Sequence, residues 1–437
     1  MKRFFHYTIP SIFAMWMFAL YTMADGYFVA NYVGELAFSA VNISLPVITS
    51  FFALGMLLST GAQSKVGFYL GRGDRAAARE IFTTSLLALL LVGLFYTAAL
   101  WLFLDDVVRL LGAGPLTVGM VKEYLSILLP FGVCFMTTYQ METLAKVDGF
   151  PRFAALSVLV AGLTNVFLDY LFVVHLSLGL FGAGLATGVA QVFSTALLLA
   201  HFLRRRGNLR FVGKLRLKQL KSLASIGLGD AISEIAIGYT VFLFNTTLLR
   251  RLGQDGVVVY TVISYISVFI QVTMTGVAQG VAPLFSIAYG RRDFGRIRYG
   301  LLGTLAFITL LGLSITAGVG CFAAPLVDVF LPDGSRLQGA AADGLIKFSL
   351  SYLLTGYNVF LVTFFASLGK GRIAAALSFL RTPVAVTGVM MVYERCFGAD
   401  GIWYVLAVAE GLTVLIGAGG LKRFLREEWP EGKRTSF

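Results

Sequence analysis

Residues 33–74, VGELAFSAVN…LGRGD, return without a gap as residues 252–293, LGQDGVVVYT…YGRRD. Glycines recur at equivalent places, and each copy closes on an Arg-x-Asp sequence. A second pair of stretches, GFPRFAA at 149–155 and GKGRIAA at 369–375, repeats at nearly the same spacing. The chain therefore contains two copies of one structural unit, one in each half.

Apolar residues dominate both halves. Hydrophobic residues make up 57% of the chain, the mean hydropathy is +0.81, and only 13% of the residues are charged. A soluble protein of this length carries far more surface charge. Runs of about 20 apolar residues are long enough to span a bilayer, and they predict about twelve transmembrane helices at 9–31, 40–65, 80–104, 122–144, 153–175, 180–202, 222–249, 257–288, 298–324, 344–368, 373–394 and 401–421. The repeat spans six of these helices, an even number that preserves orientation. The sequence thus predicts an all-α membrane protein with two parallel six-helix lobes facing a central cavity, as in transporters.

The distribution of Lys and Arg sets the predicted orientation. With the N-terminus in the cytoplasm, 27 of the 35 basic residues fall in cytoplasmic segments, 7 fall in outer loops and Arg381 lies within a helix. This asymmetry predicts a multi-pass protein of the plasma (inner) membrane with both termini in the cytoplasm. We expect an N-terminal lobe at 1–207, a basic cytoplasmic linker at 208–221 and a C-terminal lobe at 222–437. The basic residues lie in short loops between apolar runs, so we expect no nucleic-acid partner. We expect the linker to be solvated and membrane lipid to surround the spans.

Carboxylates within the predicted spans are the candidate functional groups, because a charge at mid-bilayer costs about 2.5–3.5 kcal/mol and usually faces a cavity or a partner. Asp25 on the first helix and Asp169 on the fifth lie at the same predicted depth. Asn165 precedes Asp169 by one turn on the same face, and Thr187 on the sixth helix reaches a similar level. We predict that these four residues bind a coupling ion, either a proton or Na⁺ held by carboxylate, amide and hydroxyl oxygens. The alternative is that each aspartate only caps or bonds a distorted helix.

Other polar residues lie in the predicted spans near mid-membrane. Asp230 and Glu234 share a face of the seventh helix, and Glu410 on the twelfth occupies the repeat position of Gln191 on the sixth. Asp230 is expected near the cytoplasmic interface. Glu234, Glu410 and Gln191 are candidates for a substrate cavity, in which the carboxylates would attract a cationic substrate. The alternative for each acid is a structural bond to a neighbouring helix.

Motifs of enzymes and metal sites are missing from the sequence. Cys134, Cys321 and Cys396 lie far apart and form no CxxC pair. There is no zincin motif, P-loop or nucleophile elbow. The acidic pair Asp105-Asp106 is too little for a metal-dependent prenyltransferase site. We therefore expect neither an enzyme nor a cofactor.

Three stretches resemble the multidrug and toxic compound extrusion (MATE) family. ADGYFVANYVGELAFSAVNISLPV (24–47) resembles its first two helices, DGFPRFAALSVLVAGLTNVFLDYLFV (148–173) its fifth, and GLFGAGLATGVAQ (179–191) its sixth. The resemblance implies a V-shaped pair of lobes and export of organic cations driven by protons or Na⁺. It also implies a first-lobe cation site at Asp25, Asn165, Asp169 and Thr187. Glu234 resembles the helix-7 acid of one branch of the family.

Two functions stay open at this level. The first is a multidrug efflux antiporter, coupled to H⁺ or Na⁺ and acting as a monomer on small organic, mostly cationic amphiphiles. The second is a flippase for a lipid-linked sugar or another amphiphile from the same superfamily. A flippase is expected to carry a cationic cavity for phosphate, whereas the intramembrane charges here are mostly acidic.

Overall fold

The structure, a computed structural model, describes residues 2–204, 206–331, 335–396 and 399–428. The helices of the first half are α1 (Lys2–Phe28), α2 (Glu35–Gly71), α3 (Arg75–Leu102), α4 (Leu104–Leu110), α5 (Val118–Leu128), α6 (Gly132–Val147), α7 (Pro151–Asp169) and α8 (Gly179–Leu203). Those of the second half are α9 (Leu220–Gly290), α10 (Phe294–Asp328), α11 (Gln338–Ser349), α12 (Tyr352–Ser367), α13 (Gly371–Phe379), α14 (Thr387–Cys396) and α15 (Val405–Glu428). Short π-helical segments extend α1 (Val29–Val33) and α7 (Tyr170–His175) and join α13 to α14 (Leu380–Val386).

The number of membrane crossings agrees with the sequence. Ten helical runs among the described residues are long and apolar enough to cross a membrane, and α11 with α12, bent by 44°, adds another. The α9 run crosses twice, because Gly253 breaks it with φ 66° and ψ −156°. The rings of Phe244 and Tyr260 stack at 4.9 Å across this break, whereas a straight helix would separate them by about 24 Å. The predicted all-α fold of about twelve crossings is therefore confirmed.

Several helices are longer than their predicted spans. α2 extends from Glu35 to Gly71, for example, where hydropathy predicts 40–65. Polar and charged residues lower the hydropathy at helix ends without interrupting the backbone hydrogen bonds. Hydropathy therefore locates the part of each helix inside the bilayer, and the helix itself continues into the interface.

The two halves repeat in backbone conformation as well as in sequence. Gly73 and Arg292, which are repeat equivalents, both have a left-handed backbone, with φ of 82° and 56°. Directly after them, Asp74 and Asp293 cap the next helix. Each carboxylate accepts a hydrogen bond from the amide three residues further on, at 2.9 and 3.0 Å. An N-cap oxygen satisfies a free N–H group of the first turn, which explains why an aspartate occupies both positions.

The lobes meet at one end of the bundle and diverge at the other. A Cβ atom at Gly71 would lie 2.2 Å from the carbonyl oxygen of Ile287, and one at Gly290 would lie 2.0 Å from that of Phe68. These two contacts are repeat equivalents, and the absence of a Cβ atom at glycine lets the helices approach this closely. On the other half of α9, a Cβ at Gly238 would have no neighbour within 4 Å. The closest contacts between the lobes thus lie at Gly71 and Gly290, and we call the space between the lobes away from these contacts the cleft.

The chain between the lobes packs against the first lobe, whereas the sequence predicts a solvated loop. Asp148 Oδ1 accepts hydrogen bonds from the backbone N–H groups of Asn208 (2.7 Å) and Leu209 (3.2 Å). The Leu209 side chain is fully buried. Because these backbone groups find a partner, the chain can follow Leu209 into the protein without leaving them unsatisfied. We call residues 206–219 the linker strap; α9 begins at Leu220, within the predicted linker 208–221.

Candidate ion-coupling site

Four side chains that the sequence predicts to share a site are carried by neighbouring helices of the first lobe. Asp25 lies on α1, Asn165 and Asp169 lie on the last turns of α7, and Thr187 lies on α8. Asn165 Nδ2 donates to the Thr187 hydroxyl at 3.4 Å. Asp169 is completely buried, and Asp25 is half-buried. The two carboxylates are close enough to interact electrostatically, so their negative charges repel each other.

The backbone departs from the α-helix next to both aspartates. The π-helical segment Val29–Val33 begins one turn after Asp25, and Tyr170–His175 begins directly after Asp169. A π turn holds an extra residue, so it changes the direction of the following side chains, and such turns are frequent at functional sites. The two helices also pack closely, since a Cβ at Gly162 of α7 would lie 3.0 Å from the Tyr21 ring of α1.

Four acceptor oxygens of this group lack donors among the described residues. Asp25 Oδ1, Asn165 Oδ1 and both carboxylate oxygens of Asp169 are buried without a hydrogen-bond partner among the described residues. Buried polar atoms in proteins nearly always have partners, and an uncompensated buried carboxylate is strongly unfavourable. A proton satisfies such oxygens, and so does a hard cation, which prefers carboxylate, amide and hydroxyl oxygens. In the described part of the chain, no cluster of three or more His, Cys, Asp or Glu side chains is suited to a metal ion.

Two tyrosines belong to the same neighbourhood and were not predicted from the sequence. Tyr21, one turn before Asp25, lies close to Gln191. Tyr124 of α5 is 1% exposed. It lies close enough to Asp25 and Asp169 for their charges to act on its hydroxyl. The spacing of Tyr21 and Asp25 on one helix face could have indicated the first, whereas nothing in the local sequence indicates the second. Gln191, predicted as a cavity residue, thus lies beside the Asp25 group.

Asp230 and Glu234 lie on α9 where the lobes meet. Thr60 of α2 donates to Asp230 Oδ2 at 2.6 Å across the boundary between the lobes. Glu234, one turn nearer the open end, is half-buried and within electrostatic range of Asp230. The Tyr139 hydroxyl of the first lobe lies within range of both acids. Glu234 is therefore at the floor of the cleft.

Glu410 differs from the cavity-facing acid that the sequence suggests. It is 2% exposed, and Arg381 Nη2 lies 2.6 Å from its Oε1. In the described structure Glu410 thus contributes no free charge to the cleft. The other basic residues within the predicted spans lie at their ends, whereas Arg381 lies well inside one, and a lone intramembrane charge calls for a partner of opposite sign. That signal could have predicted the pair.

In the second lobe, the counterpart of Asn165 and Asp169 is apolar. Gly388 and Val384, the repeat equivalents of Asp169 and Asn165, line a cavity of about 930 Å³ between α14 and α15. Aliphatic side chains, among them Val408 and Leu412, form much of its remaining wall. No carboxylate is among the described residues that line it. The two lobes therefore differ chemically at equivalent places.

Comparison with known families gives two matches along the chain. The MatE family model matches residues 10–171 and again residues 231–391, once in each lobe. The chain belongs to the MatE family. Members of the MatE (MATE) family are membrane transporters, so the predicted family is confirmed, as is the expectation of a transporter rather than an enzyme.

MatE relatives cover almost the whole chain. "Multidrug export protein MepA" of Staphylococcus aureus (strain bovine RF122 / ET3-1) is 23% identical over 423 residues, which are 95% of this chain and 92% of that protein. The protein of the same name from Staphylococcus saprophyticus is 24% identical over 432 residues, with the same coverage.

Solved structures of two transporters show the same fold. One, described as the "Outward-facing conformation of a multidrug resistance MATE family transporter of the MOP superfamily", has a TM-score of 0.92 at 21% identity and covers 98% of this chain and 96% of its own. Another, described as "Reverse polarity of binding pocket suggests different function of a MOP superfamily transporter from Pyrococcus furiosus", has a TM-score of 0.91 at 22% identity and covers 97% and 96%. At these identities the likeness establishes the fold alone.

Proposed function

We propose that this MatE protein is a secondary active antiporter that exports organic, mostly cationic and amphiphilic compounds, driven by a proton or sodium gradient. The supporting observation is the set of buried acceptor oxygens without donors at Asp25, Asn165 and Asp169. Coupling requires a group that binds the ion more tightly in one conformation than in the other, because a ligand shifts an equilibrium only by its differential affinity. A buried carboxylate whose surroundings change with the conformation meets this requirement.

The helix that carries Asp25 also forms a contact between the lobes. On α1, Trp16 Nε1 donates to Thr273 Oγ1 of the second lobe at 2.7 Å. A Cβ at Gly280 of α9 would lie 2.7 Å from the Cα of Thr8, nearer the start of α1. In our proposal, an ion that neutralises the repulsion between Asp25 and Asp169 changes the preferred position of α1 against α7. Because α1 also contacts α9, that change alters the contact between the lobes.

The proposed substrate class rests on the named relatives and on the acids of the cleft. The Staphylococcus relatives are named multidrug export proteins. Glu234 on the cleft floor would attract a cation, since charge attraction is strong where water is excluded. The 14% of aromatic residues supply ring faces that favour organic cations. A phosphate-bearing lipid would instead require basic groups there, whereas the charged groups described at the floor, Asp230 and Glu234, are acidic.

We also propose a plasma-membrane location with both termini and the linker strap in the cytoplasm, from the excess of Lys and Arg on that side. The lobes then meet at the cytoplasmic end and the cleft opens outward. One chain supplies both lobes, so a monomer suffices. A cysteine placed at Ser222 in a cysteine-free background should resist a membrane-impermeant thiol reagent added to intact cells. Ready labelling at this position would show that the protein has the opposite orientation in the membrane.

Transport in reconstituted vesicles tests the function directly. Movement of a cationic dye against its own gradient is measured under an imposed proton gradient alone and under a sodium gradient alone. We expect one of the two gradients to drive the dye, and we expect Asp169→Asn to abolish this movement. An absence of gradient-driven movement in both arms would reject the antiporter. A fully active Asp169→Asn protein would reject the proposed site.

A further inference from the structure

A buried ion pair in the second lobe takes no part in the mechanism proposed above. The Glu410 carboxylate of α15 accepts hydrogen bonds from Arg381 Nε at 3.0 and 3.1 Å and from Arg381 Nη2 at 2.6 Å. From α12, Asn358 Nδ2 donates to Oε2, and Thr355 Oγ1 donates to Oε1 at 3.3 Å. Arg381 belongs to the π-helical segment between α13 and α14. Three parts of the second lobe thus converge on one carboxylate.

The pair has no counterpart in the first lobe. The repeat equivalent of Glu410 is Gln191, and that of Arg381 falls within residues 160–162, Val-Ala-Gly, which carry no charge. A forked Arg–carboxylate contact with further donors on the remaining lone pairs is the geometry that makes a buried ion pair tolerable. Among the described residues, Arg381 is the charged side chain that contacts the Glu410 carboxylate, and the α12 donors are neutral.

We infer that Arg381 is a built-in counter-cation that keeps Glu410 out of the ion cycle, so that this buried acid of the second lobe binds no coupling ion. The inference rests on the proposed function, in which ions bind at Asp25 and Asp169. The guanidinium contacts both carboxylate oxygens and therefore occupies the positions that a proton or Na⁺ would take. An arginine side chain does not lose its proton in proteins, and unlike a free ion it cannot leave. Arg381 thus determines how many acids can exchange ions.

If the Arg381 guanidinium is removed by mutation, the Glu410 carboxylate should bind a proton or Na⁺ in its place. In Na⁺-free buffer at pH 7.5, we expect Arg381→Gln to lower the thermal midpoint of the purified protein, because breaking one side of a buried pair leaves an uncompensated charge. Lower pH or added Na⁺ should raise this midpoint by more than in wild type, since either ion then replaces the guanidinium. The double variant Arg381→Gln/Glu410→Gln should regain most of the midpoint and lose the extra dependence on pH and Na⁺.

Transport supplies the second readout. The double variant should keep the wild-type dependence of dye efflux on the driving ion, and so should Arg381→Lys, which retains a cation. Loss of ion-driven efflux in a double variant with a wild-type midpoint would make Glu410 a coupling group and overturn the inference. An Arg381→Gln protein without extra pH or Na⁺ dependence would overturn it as well; if that variant does not fold, Arg381→Lys and the double variant still decide. Unchanged efflux in Asp25→Asn and Asp169→Asn would instead reject the proposed function.

Discussion

In the first lobe, the buried oxygens of Asp25 and Asp169 have no donor among the described residues, whereas in the second lobe Glu410 accepts hydrogen bonds from Arg381 and Asn358. The two lobes nevertheless share their helix order, their aspartate caps and the glycine contacts between them. The backbone therefore does not decide whether a buried acid is compensated. A few side chains at equivalent positions decide it.

Two pairs of exchanges account for most of the difference between the lobes. The acid and amide of the first lobe become small or aliphatic in the second, and a glutamine and an uncharged residue of the first are replaced by an ion pair in the second. The equivalent residues are Asp169 and Gly388, Asn165 and Val384, and Gln191 and Glu410, while Arg381 falls opposite the uncharged residues 160–162. An uncompensated acid is free to exchange an ion, whereas a compensated acid is fixed. A repeated fold can thus place an exchangeable charge in one lobe and a fixed charge in the other.

The largest expected effect comes from removing the charge of Asp25. Asp25→Asn keeps the size and much of the hydrogen bonding of the side chain but cannot exchange a proton or hold a cation by charge. Burial of a neutral amide is less unfavourable than burial of an ion, so the protein should insert and fold. Gradient-driven dye efflux in vesicles should fall to the rate of protein-free vesicles, while binding of the dye to purified protein persists.

A matched control for Asp25→Asn is Glu35→Gln, which removes a carboxylate from an exposed position at the start of α2. The control should transport like wild type. If Asp25→Asn inserts normally and exports dye at the wild-type rate, Asp25 is not an acid that exchanges the coupling ion. The proposed difference between the acids of the two lobes would then be wrong.

Most of the fold followed from features that the sequence carries locally. Apolar runs located the spans, and the recurrence of residues 33–74 at 252–293 gave the two lobes. Helix ends were less accurate, because α2 and other helices continue through polar residues that hydropathy excludes. The docking of the linker strap was not predicted, since it depends on Asp148, which is distant in sequence from the backbone groups it binds.

The residues of the candidate site could be predicted from the sequence, but their contacts could not. Asp25, Asn165 and Asp169 stand out because polar groups are rare within apolar spans. Tyr124 and the pairing of Arg381 with Glu410 depend on which helices are neighbours, and a single sequence does not contain that information directly. An unpaired acid and a paired acid therefore looked alike in the sequence, and only the packing separates them.

The second prediction concerns the glycine contacts between the lobes, which are repeat equivalents. In Gly71→Ala, the new methyl group would lie 2.2 Å from the Ile287 carbonyl oxygen, closer than real contacts allow. The lobes must shift apart, so we expect a loss of stability of about 1–3 kcal/mol, as for overpacking, and slower efflux. Gly290→Ala should behave similarly, because its contact is the repeat equivalent. Thermal midpoints and efflux rates measure both effects.

The control for these glycines is Gly303→Ala on α10, where the added methyl group has no neighbour within 4 Å. This variant should match or slightly exceed wild-type stability, since alanine favours helix over glycine. If Gly71→Ala were as stable and active as Gly303→Ala, the close contact would not be what holds the lobes together.

A smaller effect is expected at the cleft floor. Glu234→Gln removes a half-buried carboxylate of the second lobe that, unlike Glu410, faces the first lobe. We expect the KM of a cationic dye to rise about fivefold, roughly 1 kcal/mol of lost charge attraction, while a neutral substrate changes little. Ion dependence should stay at the wild-type level. Equal losses for cationic and neutral substrates would show that Glu234 does not select for charge.

The smallest expected effect concerns the linker strap, which the two lobes contact differently. The first lobe holds the linker strap through Asp148, whereas the repeat equivalent in the second lobe is Leu368. Arg216, at the far end of the strap, donates to Glu80 of α3 at 2.5 Å. Burial raises the pKa of Asp148 from 3.8 to about 6, even though the backbone N–H groups of Asn208 and Leu209 favour its charged form.

Because the native pKa of Asp148 lies above the unfolded value, the folded protein keeps a proton that the unfolded chain releases between about pH 4 and pH 6. Stability from this group is therefore greatest below pH 4 and decreases as the pH rises to 6. Asp148→Asn retains an acceptor for the strap and removes the charge. At pH 7 we expect Asp148→Asn to raise the free energy of unfolding by about 1 kcal/mol. The variant no longer buries a charge, but its hydrogen bonds to the linker strap are weaker and offset part of that gain. Thermal midpoints at pH 4.5 and pH 7 should show the gain mainly at pH 7. An equal loss of stability at both pH values would mean that the charged hydrogen bonds to the strap outweigh the burial of the charge.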